Sequence, residues 1–139
     1  MKQTQKIILS EPDFQLIGIA SHENDYRLAW AINTALKLAL AKSPDVTIFH
    51  DKYKHDISLS IFSQDFADQG YTIKLFANRG DNFFLLEDLR NIDFFLKLEG
   101  EITSQKVQNI VATLKTIDII MGVYQIDIKN IKKIQRLHF

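Results

Sequence analysis

The chain has 139 residues, 46% of them hydrophobic, so it can bury a self-sufficient core and we expect one domain over residues 1–139. Its 17 basic side chains balance 17 acidic ones, which disfavours binding to nucleic acid or to an anionic membrane surface. The absence of cysteine excludes disulfides, thiolate nucleophiles and thiolate metal sites, and is compatible with the cytoplasm, where we expect the protein.

The first part of the chain predicts strands around one helix. The apolar run Ile7–Leu9 is too short for a signal peptide or a membrane span and predicts a short edge strand. Apolar residues on both faces of Phe14–Ala20 are typical of a central strand. Apolar residues at four-residue spacing then predict a helix from about Asp25 to Lys42, which Ser43-Pro44-Asp45 ends.

The middle of the chain predicts a hairpin. Alternating apolar residues indicate antiparallel strands at 57–61 and at Tyr71–Leu75, joined through a turn at Gln64–Gly70, and a short strand precedes them at Val46–His50. The spacing of His50 and His55 fixes no metal geometry, so we expect a solvated loop there.

The last part repeats the strand–helix–strand order. Ile92–Glu99 alternates as a strand, and a helix follows from Ser104 to about Thr116, capped by Thr103 or Ser104. A final strand is predicted at Ile119–Ile126, and the basic tail Lys129–Arg136, with His138 beyond it, is expected to form a solvated end.

Two βαβ halves with an extra central hairpin emerge from this order. The pattern predicts an α+β two-layer sandwich that is ferredoxin-like and similar in scaffold to ACT domains. Both helices should lie on one face of a mainly antiparallel sheet. A fold of this kind does not assign a function by itself.

Two stretches of the chain together carry a family resemblance: FQLIGIASHENDYRLAWAIN at 14–33 and LEDLRNIDFFLKLEG at 86–100. They resemble a bacterial family of uncharacterised proteins named for its signature IPExxxVDY. Four positions carry the signature residue or a similar one: Leu86, Ile92, Asp93 and Phe94. Glu87 and Asp88 depart from its proline and glutamate. The resemblance implies a single-domain cytoplasmic protein and assigns no activity, cofactor or catalytic residue.

The junction between the first long strand and the first helix, which we call the elbow, is the first candidate site. A helix start offers unpaired N–H groups and a positive dipole end, so His22, Asn24, Asp25 and Arg27 could hold a carboxylate or phosphate. Ordinary capping by Asn24 or Asp25 explains the same residues and is the stronger interpretation. Ligand binding here would make the protein a small anionic-ligand sensor of the ACT-like type.

An uncovered second face of the sheet is the other candidate, since two-layer sandwiches commonly leave one face free. Phe62, Phe76 and Phe95 would form an apolar patch there, with Asp93 as a polar interface residue, unless these phenylalanines belong to the core. We therefore expect a non-enzymatic protein-interaction or dimerisation module, with a homodimer or a protein partner. No nucleophile elbow, P-loop, dinucleotide fingerprint or metal-ligand spacing indicates an enzyme, cofactor or metal.

Overall fold

The structure is a computed structural model that describes residues 14–139, so the predicted strand Ile7–Leu9 lies outside the described residues. Its regular elements are β1 (Phe14–Ala20), α1 (Asp25–Leu36), β2 (Ala41–His50), β3 (His55–Phe66), β4 (Tyr71–Ala77), β5 (Arg79–Gly80), β6 (Phe83–Phe84), β7 (Phe94–Gly100), α2 (Ser104–Leu114) and β8 (Gly122–Ile126). Six strands form an antiparallel sheet in the order β2-β3-β4-β7-β1-β8, and β5 and β6 form a small second sheet. The predicted α+β class with a mainly antiparallel sheet is confirmed.

Helix α1 is shorter than predicted. Lys37 takes the left-handed conformation, with φ of 56°, and the side chain of Asn33 hydrogen-bonds both the N–H and the C=O of Leu40. The predicted helix end at Ser43-Pro44-Asp45 is wrong, because these residues lie in β2. That strand forms one edge of the sheet and carries a bulge around Pro44, so the proline removes no necessary hydrogen bond.

The strands on either side of α2 start later than predicted. The N–H of Ile92 donates to Leu89 in a short 3₁₀ turn, so β7 begins only at Phe94. A similar turn from Ile117 to Ile120 delays β8 to Gly122.

Both helices pack on the same face of the sheet. The core between them and the strands includes buried side chains from α1, α2 and the strands β1, β4 and β7: Leu28, Ala29, Ile32, Val107, Ile110, Val111, Leu114, Ile17, Ile19, Ile73, Leu75, Leu96 and Leu98. Within residues 14–139, no helix is long and apolar enough to cross a bilayer.

The opposite face of the sheet is covered too, which makes the expectation of an uncovered apolar patch wrong. Phe76 and Phe95 are 0% exposed, and the Phe76 ring lies 5.9 Å from that of Phe95 and 4.9 Å from that of Phe139. The cover comes from the segment between β4 and β7 and from residues 127–139. Phe62 lies on the helix side instead, half-buried against that core. These phenylalanines therefore form no docking surface.

Residues 127–139, which we call the C-terminal strap, are anchored by a buried lysine. Lys97 in β7 is completely buried, and its ammonium donates to the backbone oxygens of Leu137 and Phe139 and pairs with Glu99 at 2.6 Å. Burial lowers the pKa of Lys97, while the hydrogen bond from its ammonium to Glu99 opposes that effect. The predicted solvated end is wrong, because the strap packs against the sheet.

Replacing a covered phenylalanine tests this second core. We expect Phe95→Ala to lower the free energy of unfolding by about 3–5 kcal/mol, since a large buried side chain leaves a cavity. Phe49→Ala, at a 59% exposed position in β2, is the control and should change the free energy of unfolding by less than about 0.5 kcal/mol. Urea denaturation measures both, and equal midpoints for the two variants would contradict the described burial.

Candidate functional site

The elbow is built on a hydrogen-bonded helix start. Ser21 is buried at the end of β1, where its hydroxyl donates to the C=O of Ile119 at 2.7 Å and accepts from the N–H of Glu23 at 3.2 Å. Asn24 is the N-cap of α1, because its side chain accepts from the N–H of Arg27 at 3.0 Å. The capping interpretation thus accounts for Asn24.

A cavity of about 260 Å³ lies beside this helix start. Three of the four predicted ligand residues, His22, Asn24 and Asp25, line it together with Arg79 and Asp93. Asp93 was predicted as an interface residue, yet its carboxylate lies in this cavity. The two stretches that carry the family resemblance therefore meet at one place.

Asp93 is held from two sides. One carboxylate oxygen accepts from the N–H of Ser21 at 2.8 Å, and the other pairs with the Arg79 guanidinium at 2.5 Å. The chain around it is fixed by Asn78, which is completely buried and whose side chain donates to the C=O groups of Leu89 and Ile92. Its backbone N–H also donates to the C=O of Asp93 at 2.9 Å.

The electrostatics of the cavity do not favour an anion. Arg27 does not line it, since its guanidinium pairs with Glu23 at 3.2 Å along the exposed first turn of α1. The carboxylates of Glu23, Asp25 and Asp93 line the cavity, and the Arg79 guanidinium already faces Asp93. A carboxylate or phosphate would meet more negative than positive charge there.

A second polar cluster lies where the strap meets the β2–β3 turn. His50 is completely buried, and its Nε2 lies 2.9 Å from the C=O of Phe84 and 3.3 Å from a carboxylate oxygen of Glu87. Arg136 of the strap donates to Glu87 at 2.8 Å and also pairs with Asp51. The expectation of a solvated loop at His50 is wrong, because distant parts of the chain enclose it.

This cluster lowers the pKa values of two carboxyl groups. Hydrogen bonds from Lys133 and Arg136 hold the pKa of Asp51 well below its usual range. Burial favours a higher pKa for Glu87, but the hydrogen bond and the charge of Arg136, together with a backbone hydrogen bond, lower the pKa by more than burial raises it. Among residues 14–139 no group of three or more His, Asp or Glu side chains is arranged to hold a metal ion.

The outer surface of α1 carries exposed aromatic side chains that the sequence pattern did not single out. Tyr26 is 63% exposed and Trp30 is 70% exposed, one helical turn apart. Trp30 borders a shallow groove of about 320 Å³, whose other walls come from α1 and from the segment after α2. The groove residues beside Trp30 are Ala31, Thr34, Ala35, Thr116, Ile117, Asp118 and Ile119.

Sequence spacing did contain a signal for this surface. Tyr26 and Trp30 are off the stripe formed by Leu28 and Ile32, which faces the core. A tryptophan on the outer side of an amphipathic helix is unusual for a solvated face.

Comparison of the chain with protein-family models, with curated proteins and with solved structures finds no match.

The polar cluster predicts acid-sensitive stability. Asp51 and Glu87 have lower pKa values in the folded chain than in the unfolded one, so the stability they contribute is present above about pH 4 and is lost as pH falls further. We expect the free energy of unfolding, measured by urea denaturation between neutral and acid pH, to fall less steeply for Asp51→Asn than for the wild type. Asp68→Asn, in the exposed turn after β3, is the control, and its free energy of unfolding should depend on pH as that of the wild type does. The same slope in all three proteins would contradict the role of the cluster.

Proposed function

We propose that the protein is a non-enzymatic interaction module that binds a protein partner through the outer face of α1. The exposure of Trp30, at 70%, is the observation that carries this proposal. Tryptophan and tyrosine are enriched among the residues that dominate protein–protein binding energy. Tyr26 and Trp30 offer that chemistry on one rigid helix.

The surroundings of Trp30 support a binding face. Ala31 and Ala35 are small, so a partner side chain could enter the groove beside the indole ring. Ile117 and Ile119 form its far wall, and one aspartate, Asp118, lines it. Apolar contacts around an aromatic anchor, with a polar rim, are typical of interface centres.

Two of the expected sites support a function less well than α1 does. The sheet face of Phe76 and Phe95 is occupied by the strap. The cavity at the elbow is not lined by Arg27 and is lined by three acidic residues, so it gives little support to an anionic-ligand sensor.

We also propose the ferredoxin-like type of fold and membership of the IPExxxVDY family. The strand order β8-β1-β7-β4, with α1 after β1 and α2 between β7 and β8, supports the first, and β2 and β3 would be the extra hairpin. The meeting of His22 and Asp25 with Asp93 in one cavity supports the second. A cytoplasmic location remains part of this proposal, and the cysteine-free composition is compatible with it.

Affinity capture with single variants tests the proposed binding face. Immobilised wild-type protein, Trp30→Ala and Phe49→Ala are compared for the proteins they retain from native cell extract. We expect Trp30→Ala to lose the specific partner, because removing an aromatic anchor weakens binding by about 2 kcal/mol or more.

Phe49→Ala removes a similarly exposed aromatic from another surface and should retain the same partner. Thermal unfolding should be nearly unchanged in both variants, since exposed side chains contribute little to stability. Equal retention by Trp30→Ala and wild type, or no specific partner for any of the three, would argue against the proposal.

A further inference from the structure

The strand β8 lies at one edge of the sheet that residues 14–139 form. Its inner side pairs with β1 from Leu16↔Ile126 to Ala20↔Gly122. Among the strands of residues 14–139, none pairs with its outer side. Such an edge presents unpaired N–H and C=O groups in the geometry that a further strand requires.

The opposite edge of the sheet is protected and β8 is not. In β2, Pro44 lacks an N–H, the register is broken between Ser43 and Val46, and Lys42 and Asp45 place an exposed ion pair on the strand. Proline, bulges and charges are the usual means of preventing edge-to-edge pairing. The sequence of β8, GVYQI, contains neither proline nor charge.

We propose that β8 pairs with the β8 strand of a second copy of this chain, antiparallel across a two-fold axis. The sheet would then continue through the interface as twelve strands, six from each copy. This interface uses a different surface from the outer face of α1 and does not depend on the proposed function.

The composition of β8 favours a second copy as the occupant. Pairing is most complete when the axis passes through Tyr124, because all five residues then find a partner. Tyr124 lies opposite its own copy, Val123 opposite Gln125, and Gly122 opposite Ile126. No like charges face each other along the strand, so self-pairing meets no electrostatic penalty.

Exposed apolar side chains accompany this edge. Tyr124 is 43% exposed and Met121, the residue before the strand, is 57% exposed. In the centred register Met121 faces Asp127 of the other copy, and the two Tyr124 side chains come within contact distance of each other. Burial of these side chains would add to the backbone hydrogen bonds.

Sedimentation of the full chain over a range of concentrations tests the pairing. We expect the wild type to form a concentration-dependent dimer. Tyr124→Glu and Tyr124→Lys each place like charges directly opposite each other and should raise the dimer dissociation constant by about tenfold or more. A mixture of the two variants places Glu opposite Lys and should restore association to near the wild-type level.

Phe49→Lys, on the protected edge, is the matched control and should leave the dimer unchanged. The mixture also excludes misfolding as the cause, because unfolded variants would not form a heterodimer. A wild type that stays monomeric, including one whose residues 1–13 occupy the edge, would overturn the proposal. Dimerisation of Tyr124→Glu at wild-type strength, or no gain on mixing, would do the same.

Discussion

The central strands of the sheet are buried on both faces, and the placement of the helices and of the strap follows from this. Strands β1, β4 and β7 carry apolar side chains on both faces of the sheet, and the two helices can cover only one of these faces. The chain covers the other face with the segment between β4 and β7 and with the strap. Lys97 makes that cover specific, because a buried ammonium group is costly unless its donors are bonded, and Glu99 and the strap oxygens of Leu137 and Phe139 bond them.

Covering the second face moves the available surfaces elsewhere. The phenylalanines of β4 and β7 are used for stability, and the polar cluster around Arg136 closes the strap against the β2–β3 turn. The large exposed apolar side chains of residues 14–139 lie on the outer side of α1, along β8 and, for Phe49, on β2, and the first two of these are the proposed binding surfaces. Binding through these two places would leave the core intact, since neither Trp30 nor Tyr124 contributes to a buried cluster.

Local patterns in the sequence predicted the elements that local forces determine. The alternation at 57–61 and the caps at Asn24 and Thr103 depend on residues a few positions apart. The burial of Phe95 and His50 depends on segments far along the chain, which carry no periodic signal. The register between β1 and β7 places Asp93 at the elbow. Ile19 pairs with Phe94, and this pairing brings Asp93 beside the end of β1. That placement requires knowledge of which strands are neighbours.

Nuclear Overhauser effects between the strap and the sheet test whether residues 127–139 cover the second face. The ring of Phe139 lies 4.9 Å from that of Phe76, and the Lys97 ammonium lies 4.3 Å from the Phe139 ring centre. We expect cross-peaks from the Phe139 ring to the side chains of Phe76 and Lys97 in the full chain at neutral pH. Random-coil chemical shifts across residues 131–139, with no such cross-peaks, would contradict it.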